Sequence, residues 1–339
     1  MNDLTFVLPA EKHSSTICDV PIEENKGYYL PAPKGKHFDI LCHHSVYNRS
    51  TIQRILPKDT VYIAIVREPF ARFVSAILFF RKDYKEKYLT SIKSDNVIST
   101  FLANPRKYEP KGMARSFTNN RMAYDFGLAP KDIKNKSKEK ISKFIEKIDN
   151  EFDLVMVLEY LDESLILMKR MLNWSLNDIL YLGISNAGIT NKTAATQNVT
   201  EVDVNRHKAW ESIDYILYEH FLTKLKRIIA IQDDTFEKEL EDFRRARLKV
   251  TKYCHGGKLA KDLDIKTFHL KQELRVRPYD CTILKKGAFA YFKMLKQTKE
   301  GSKKSKTGSN RKRIIPRMLT NYQIQRKIPR RKINVVRVK

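Results

Sequence analysis

Six residues of buried-strand composition, Val61-Tyr-Ile-Ala-Ile-Val66, run straight into Arg67-Glu68-Pro69 and then into an apolar repeat at helical spacing. A continuous apolar, β-branched run is what a strand covered on both faces looks like, and such strands belong to parallel sheets. Phe70, Phe73, Val74, Ile77 and Leu78 fall at i, i+3, i+4, i+7 and i+8, one stripe of a helix. Pro69 suits the first turn of that helix, where an N–H has no intrahelical partner and its loss costs nothing. Strand, tight turn and helix make half of a βαβ unit, which predicts an α/β chain with a central parallel sheet flanked by helices.

The remaining pattern is consistent with this. Leu4–Leu8 reads as a short strand, Phe38–Cys42 as an apolar run ending in His43-His44, and Thr51–Leu56 as one or two helical turns stopped by Pro57. Asn96–Ala103, Lys138–Ile148, Asp162–Leu172 and Thr235–Val250 have helical periodicity, and Val204–Ile229 is a longer helical pattern broken near Asp214. Phe152–Leu158 is a second buried strand, and Leu176–Leu182 is short and either helical or extended. There is no internal repeat.

Charge divides the chain. The 65 Lys+Arg against 39 Asp+Glu give a net +26, which points to a polyanionic partner. Residues 1–250 hold 39 Lys+Arg and 34 Asp+Glu, whereas residues 251–339 hold 26 and 5. The expected organisation is therefore a nearly balanced domain over 1–250, a basic, partly structured extension over 251–300 and a basic, disordered tail over 301–339. Gly301–Arg313 has linker composition with like-charge repulsion. The tail is a candidate contact for an anionic membrane or glycan. Nucleic acid is not expected, because no zinc-finger spacing, RNP-like aromatic block or helix-turn-helix accompanies it. Four Cys in 339 residues exclude a disulfide scaffold, and no CxxC pair or tight Cys/His group suggests a metal, so none is expected. No apolar run approaches the ~20 residues of a membrane span.

In open α/β sheets ligands bind outside the carboxyl ends of the strands, where Arg67 stands. A helix beginning at Pro69 offers N–H groups and a positive dipole end to an anion. Arg67 brings a planar fork for phosphate oxygens, and Ser75, off the apolar stripe, brings a hydroxyl. The competing assignments are a pairing of Arg67 with Glu68 and a bond from Ser75 to a carbonyl one turn back.

Val61–Phe80, VYIAIVREPFARFVSAILFF, resembles the 3′-phosphate-binding motif of Golgi carbohydrate sulfotransferases: a strand, an Arg, and a Ser eight residues on. The wider resemblance is to the galactose-3-O-sulfotransferases, the family that includes galactosylceramide sulfotransferase. It runs in order through Ile40–His44, Thr100–Pro105, Asn119–Gly127, Phe152–Ser164 and Tyr215–Phe221, covering roughly residues 4–230.

The resemblance implies a P-loop-NTPase-like sulfotransferase fold. It also implies transfer of the sulfuryl group of 3′-phosphoadenosine 5′-phosphosulfate to the 3-hydroxyl of a terminal β-galactose on a glycolipid or glycoprotein glycan. Carried over, Arg67 and Ser75 hold the 3′-phosphate. His44 is the general base, with His43 as the alternative, since His titrates near the working pH. Asn119, Asn120, Tyr124 and Asp125 line the acceptor side. Glu159 and Tyr160 either face the same crevice or serve as a helix cap and a packed aromatic.

Family members carry a membrane anchor and then a Lys-bearing phosphosulfate loop between a first strand and helix. This chain resembles the family from just after that loop, so the fold is expected to lack the N-terminal strand and loop, as in a fragment or incomplete gene model. The family places the enzyme in the Golgi membrane with a lumenal domain. Five sequons, at Asn48, Asn135, Asn173, Asn191 and Asn198, exceed the roughly two expected by chance and fit that compartment. Cys18, Cys42, Cys254 and Cys281 allow up to two disulfides there, with no pairing assigned. The competing functions are a catalytically inactive glycan- or nucleotide-binding protein of the same fold, and a nucleic-acid- or heparin-binding protein acting through its tail.

Overall fold

A computed structural model describes residues 4–11, 16–24, 26–183, 198–256 and 261–287, with 290 and 293. Strands β1 (Thr16–Pro21) and β2 (His44–Val46) pair in parallel with irregular register, Thr16 opposite His44 and Cys18 opposite Ser45. Strands β3 (Ile63–Val66) and β4 (Leu154–Val157) pair in parallel without a shift, Ile63 opposite Leu154 and Val66 opposite Val157. Strands β5 (Leu263–Lys266) and β6 (Glu273–Val276) form an antiparallel hairpin. The chain is thus mixed α/β, and among the described residues the expected central parallel sheet takes the form of small two-stranded pairs.

The strand-turn-helix unit is present. β3 leads into a helix at Pro69–Lys82 that buries Pro69, Phe73, Val74 and Ile77, and the chain returns to the neighbouring parallel strand β4. The predicted helices occur at Arg49–Ile55, Val97–Ala103, Lys138–Glu151, Leu161–Leu172 and Asp234–His255. The long pattern after residue 200 splits into Glu201–Trp210 and Ser212–Ala230, with the break at Glu211. Leu4–Leu8 shortens to isolated bridges, Phe6 with Ile40 and Pro9 with Tyr29.

The largest apolar cluster joins Val66, Val155 and Val157 of the β3–β4 pair to Ile145 and Ile148, Ile166, Leu217 and Phe221, and Phe236 and Phe243. Ile265, Leu274 and Val276 of the hairpin belong to that same cluster. A buried disulfide, Cys254–Cys281, clips the end of the Asp234–His255 helix to the Pro278–Leu284 helix. Cys18 and Cys42 are unpaired. Residues 301–339, which include the predicted tail, lie outside the described residues.

Candidate functional site

The turn after β3 and the helix that follows it present two polar groups, Arg67 and Ser75, to which no described residue hydrogen-bonds. Arg67 is half-buried, and no hydrogen bond or ion pair reaches its guanidinium from the described residues. Burial lowers its pKa, with the charges of Glu159 and Glu68 only partly opposing, and an arginine so placed stays protonated. Ser75, also half-buried, makes no bond to a carbonyl one turn back or to any other described residue. A partly desolvated cation left unmatched is poised to gain from an anion, because the desolvation cost is already spent.

The helix start itself is closed. Glu68 is the N-cap, its carboxylate accepting from the amides of Phe70 at 3.0 Å and Ala71 at 2.6 Å, while Arg72 N donates to Glu68 O. Pro69 has no N–H, so the first turn offers an incoming anion no free amide. This corrects the expectation of an open, dipole-driven anion site, and it also removes Glu68 as an ion-pair partner of Arg67. A Glu directly before Pro at the first helical position was the sequence signal for this cap. Glu159 is engaged too, accepting from Glu68 N at 3.1 Å and from the Tyr218 hydroxyl at 3.3 Å. Tyr160 packs beneath Lys226, 5.7 Å from ring centroid to Nζ.

His44 opens β2 and sits in a charged cage. Its Nε2 lies 3.2 Å from Asp19 Oδ1 on β1, 3.8 Å from Asp125 Oδ1 and 3.0 Å from Arg121 Nη2. Parallel pairing of β1 and β2 brings Asp19 alongside. The helix Arg121–Asp125 supplies the other two groups and ends in a Schellman turn, Leu128 N to Ala123 O and Gly127 N to Tyr124 O. Gly127 has φ +89°, and a Cβ there would lie 2.5 Å from Tyr47 O, so only glycine lets the turn close on the end of β2. Tyr47 N donates to Asp125 O at 2.8 Å across that contact. Of the two adjacent histidines, His43 is buried at 4% exposure and His44 has a side chain 36% exposed, so His44 is the one a ligand can reach.

Arg121 organises the cage. Its guanidinium donates to Asp125 at 2.9 Å, Asp19 at 3.1 Å and the Ser116 carbonyl at 3.1 Å, and lies over the rings of Phe117 and Tyr124. Burial pushes the Asp19 carboxyl up, but the His44 bond and the Arg121 charge outweigh it and hold the group below its ordinary value. Neither Asp19 nor Arg121 was singled out from sequence. The i, i+4 spacing of Arg121 and Asp125 was the available signal for one, and there was none for the other, which comes from a strand about a hundred residues away.

The remaining acceptor-side candidates face inward. Asn120 is fully buried at φ 44°, and its Oδ1 accepts from Ile213 N at 2.8 Å and Asp214 N at 3.1 Å, capping the Ser212–Ala230 helix. Asp214 reciprocates, its carboxylate accepting from Met122 N at 3.0 Å and Ala123 N at 2.8 Å and so capping the Arg121–Asp125 helix. Each helix is capped by a residue of the other. Tyr124 is buried and donates to the Asp19 carbonyl at 2.9 Å, and Asn119, half-buried, accepts from Asn120 at 2.9 Å.

Behind the caps lies a buried ionic cluster. Arg72 pairs with Glu211, approaches Asp214 at 3.9 Å and donates to the Phe117 carbonyl at 2.9 Å. Burial and the Glu211 charge raise Asp214 to about 7, while Arg72 keeps Glu211 ionised against its own burial. Nearby, burial raises Glu109 to about 7 against the lowering bonds from Ser116 and Thr118. No hydrogen bond or ion pair joins Arg67 or Ser75 to His44 among the described residues, and Arg72 bridges the two regions through Asp214. No group of three or more His, Cys, Asp or Glu that could hold a metal occurs among the described residues.

The sequons have a structural source. Ser137 caps the Lys138–Glu151 helix, Ser175 forms a capping box with Asp178, Thr200 forms another with Asp203, and Ser50 donates to Asn48, itself an N-cap. Helix starts select Ser, Thr and Asn, which raises the sequon count without reference to glycans. The sequon at Asn191 lies outside the described residues.

Fold and site together define a mixed α/β protein with a half-buried arginine beyond a parallel strand, hydrogen-bonded by no described residue, and a histidine caged by two carboxylates and an arginine. A family model described as Galactose-3-O-sulfotransferase matches residues 1–319, and the chain belongs to that family. Among similar proteins, galactose-3-O-sulfotransferase 3 of Mus musculus is 30% identical over 259 residues, covering 75% of this chain and 58% of the relative. Galactose-3-O-sulfotransferase 2 of Homo sapiens is 27% identical over 252 residues, covering 72% and 58%. Galactosylceramide sulfotransferase of Homo sapiens is 25% identical over 230 residues, covering 67% and 52%. The chain therefore spans between half and three-fifths of the length of these relatives. No solved structure matches it.

Proposed function

We propose that this chain carries the 3′-phosphate and acceptor-side machinery of a galactose 3-O-sulfotransferase. The reaction is transfer of the sulfuryl group of 3′-phosphoadenosine 5′-phosphosulfate to the 3-hydroxyl of a terminal β-galactose on a glycolipid or glycoprotein glycan. The observation that carries this is Arg67, the half-buried cation at the carboxyl end of β3, followed eight residues on by Ser75, neither of them hydrogen-bonded by any described residue. Both remain available for a phosphate, whereas the adjacent helix start is already capped. His44 takes the proton of the attacking hydroxyl, and Asp125 beside it helps to hold the imidazolium that results. Charge growing on the nucleotide oxygen that sulfur leaves is the task of the Lys-bearing loop that the family carries.

The compartment that fits is the Golgi lumen at the membrane. The buried Cys254–Cys281 disulfide suits an oxidising lumen, and no helix of the described residues is long and apolar enough to cross a membrane.

The test is transfer of labelled sulfate from the phosphosulfate donor to a β-galactoside, with this 339-residue chain and any longer product of the same gene. Activity that falls at least a hundredfold in Arg67→Ala and in His44→Ala is the expected result. Inactivity of every form on every galactoside tried sinks the enzyme reading.

A further inference from the structure

His44 Nε2 faces groups with opposite demands. Arg121 Nη2, at 3.0 Å, can only donate, so bonding to it requires a bare Nε2. Asp19 Oδ1 at 3.2 Å and Asp125 Oδ1 at 3.8 Å can only accept, so bonding to them requires Nε2–H. The two arrangements exclude each other and leave the neutral ring in different tautomers. With the proton on Nε2, Nδ1 carries the lone pair and meets no described partner. With Arg121 donating to Nε2, the proton sits on Nδ1 and neither nitrogen is free to act as a base.

The surroundings favour the first arrangement. Arg121 does not need His44, because its guanidinium already reaches Asp125, Asp19 and the Ser116 carbonyl. Asp19 stays ionised beside it, held below the ordinary carboxylate range. The strand bearing Asp19 is fixed by the Tyr124 hydroxyl on the Asp19 carbonyl at 2.9 Å, so the carboxylate is presented in place.

We infer that Asp19 is a positioning residue, which sets His44 with its proton on Nε2 and Nδ1 open as the basic atom. This rests on the assignment of His44 as the base. In the step that follows, the galactose 3-oxygen bonds to sulfur while its proton passes to Nδ1. The bond from sulfur to the bridging phosphate oxygen breaks, and its electron pair leaves with the nucleotide. Asp19 meets the resulting imidazolium through Nε2–H, with Asp125 behind it and Arg121 opposing.

Nitrogen-15 shifts of the His44 ring in the full chain read the tautomer whether or not the chain transfers sulfate. The expected result is Nε2–H in the unmodified protein, with the ratio moving at least tenfold toward Nδ1–H in Asp19→Ala. Asp19→Asn, which keeps an acceptor without its charge, gives a smaller move in the same direction and carries the test if Asp19→Ala does not fold. In the sulfate-transferring protein, kcat falls at least tenfold in Asp19→Ala with the donor KM unchanged. A His44 that holds Nδ1–H in the unmodified protein, or keeps its tautomer in both variants, overturns the inference. Full activity in His44→Ala instead removes the base assignment and leaves the tautomer result standing.

Discussion

Arg67 and Arg72 lie five residues apart on one turn and one helix, and the protein treats them in opposite ways. Arg72 is matched by Glu211, Asp214 and the Phe117 carbonyl, whereas Arg67 is half-buried with only the nearby charges of Glu159 and Glu68 partly opposing, and no described residue hydrogen-bonds or ion-pairs with it. Where a buried charge serves the fold, the chain brings partners from distant segments, here across about 140 residues. At Arg67, the proposed phosphate ligand, no described residue takes that place, and the Glu68 carboxylate next door is spent on the helix start. The difference supports a structural role for Arg72 and the proposed binding role for Arg67 without reference to relatives.

The sharpest way to break that contrast is to truncate both. Arg72→Ala removes the main counter-charge of the buried Glu211, leaving only His207 Nε2 at 3.4 Å beside it, and is expected to cost about 3 kcal/mol, measured by denaturant unfolding. An Arg72→Ala variant as stable as the parent would end the structural assignment. Arg67→Ala leaves stability within about 0.5 kcal/mol and weakens adenosine 3′,5′-bisphosphate binding by about 10–100-fold in calorimetry, with Ser75→Ala weakening it a few-fold. Unchanged affinity in Arg67→Ala would leave the unmatched cation without a purpose.

The smallest effect concerns pH. Burial raises Glu109 from 4.5 to about 7, so the stability it contributes is fully present below 4.5 and is lost as pH rises through about 7. Glu109→Gln removes that loss. It is expected to match the parent near pH 4.5 and to exceed it by about 1 kcal/mol at pH 8.5 in denaturant unfolding. The same advantage at both pH values would mean that packing, not titration, is responsible.

Periodicity made the strand-turn-helix of residues 61–80 and most long helices legible, because their burial pattern is local. The β1–β2 pair escaped because Thr16–Pro21 is mixed in composition and His44–Val46 has only three residues. The hairpin escaped although Leu263 and Ile265 alternate with charge, since four-residue strands give too few repeats. At the site, Arg67, Ser75, His44 and Asp125 were visible through motif order. Asp19 was not, because its meeting with Arg121 spans 102 residues and no window of sequence encodes it. The segment Asn119–Gly127 mixes two kinds of residue, with Asp125 in the His44 cage and Asn120 locked inside the fold.

The mutual capping of Asn120 and Asp214 ties sequence drift at two points far apart in the chain. Neither can change alone without stripping the start of the other's helix and exposing a mismatch at its own. Lineages of this protein should therefore cross between alternatives by rare double steps, and the pair should stay frozen or shift together. A catalogue of natural variants would carry that mark whatever becomes of the proposed activity.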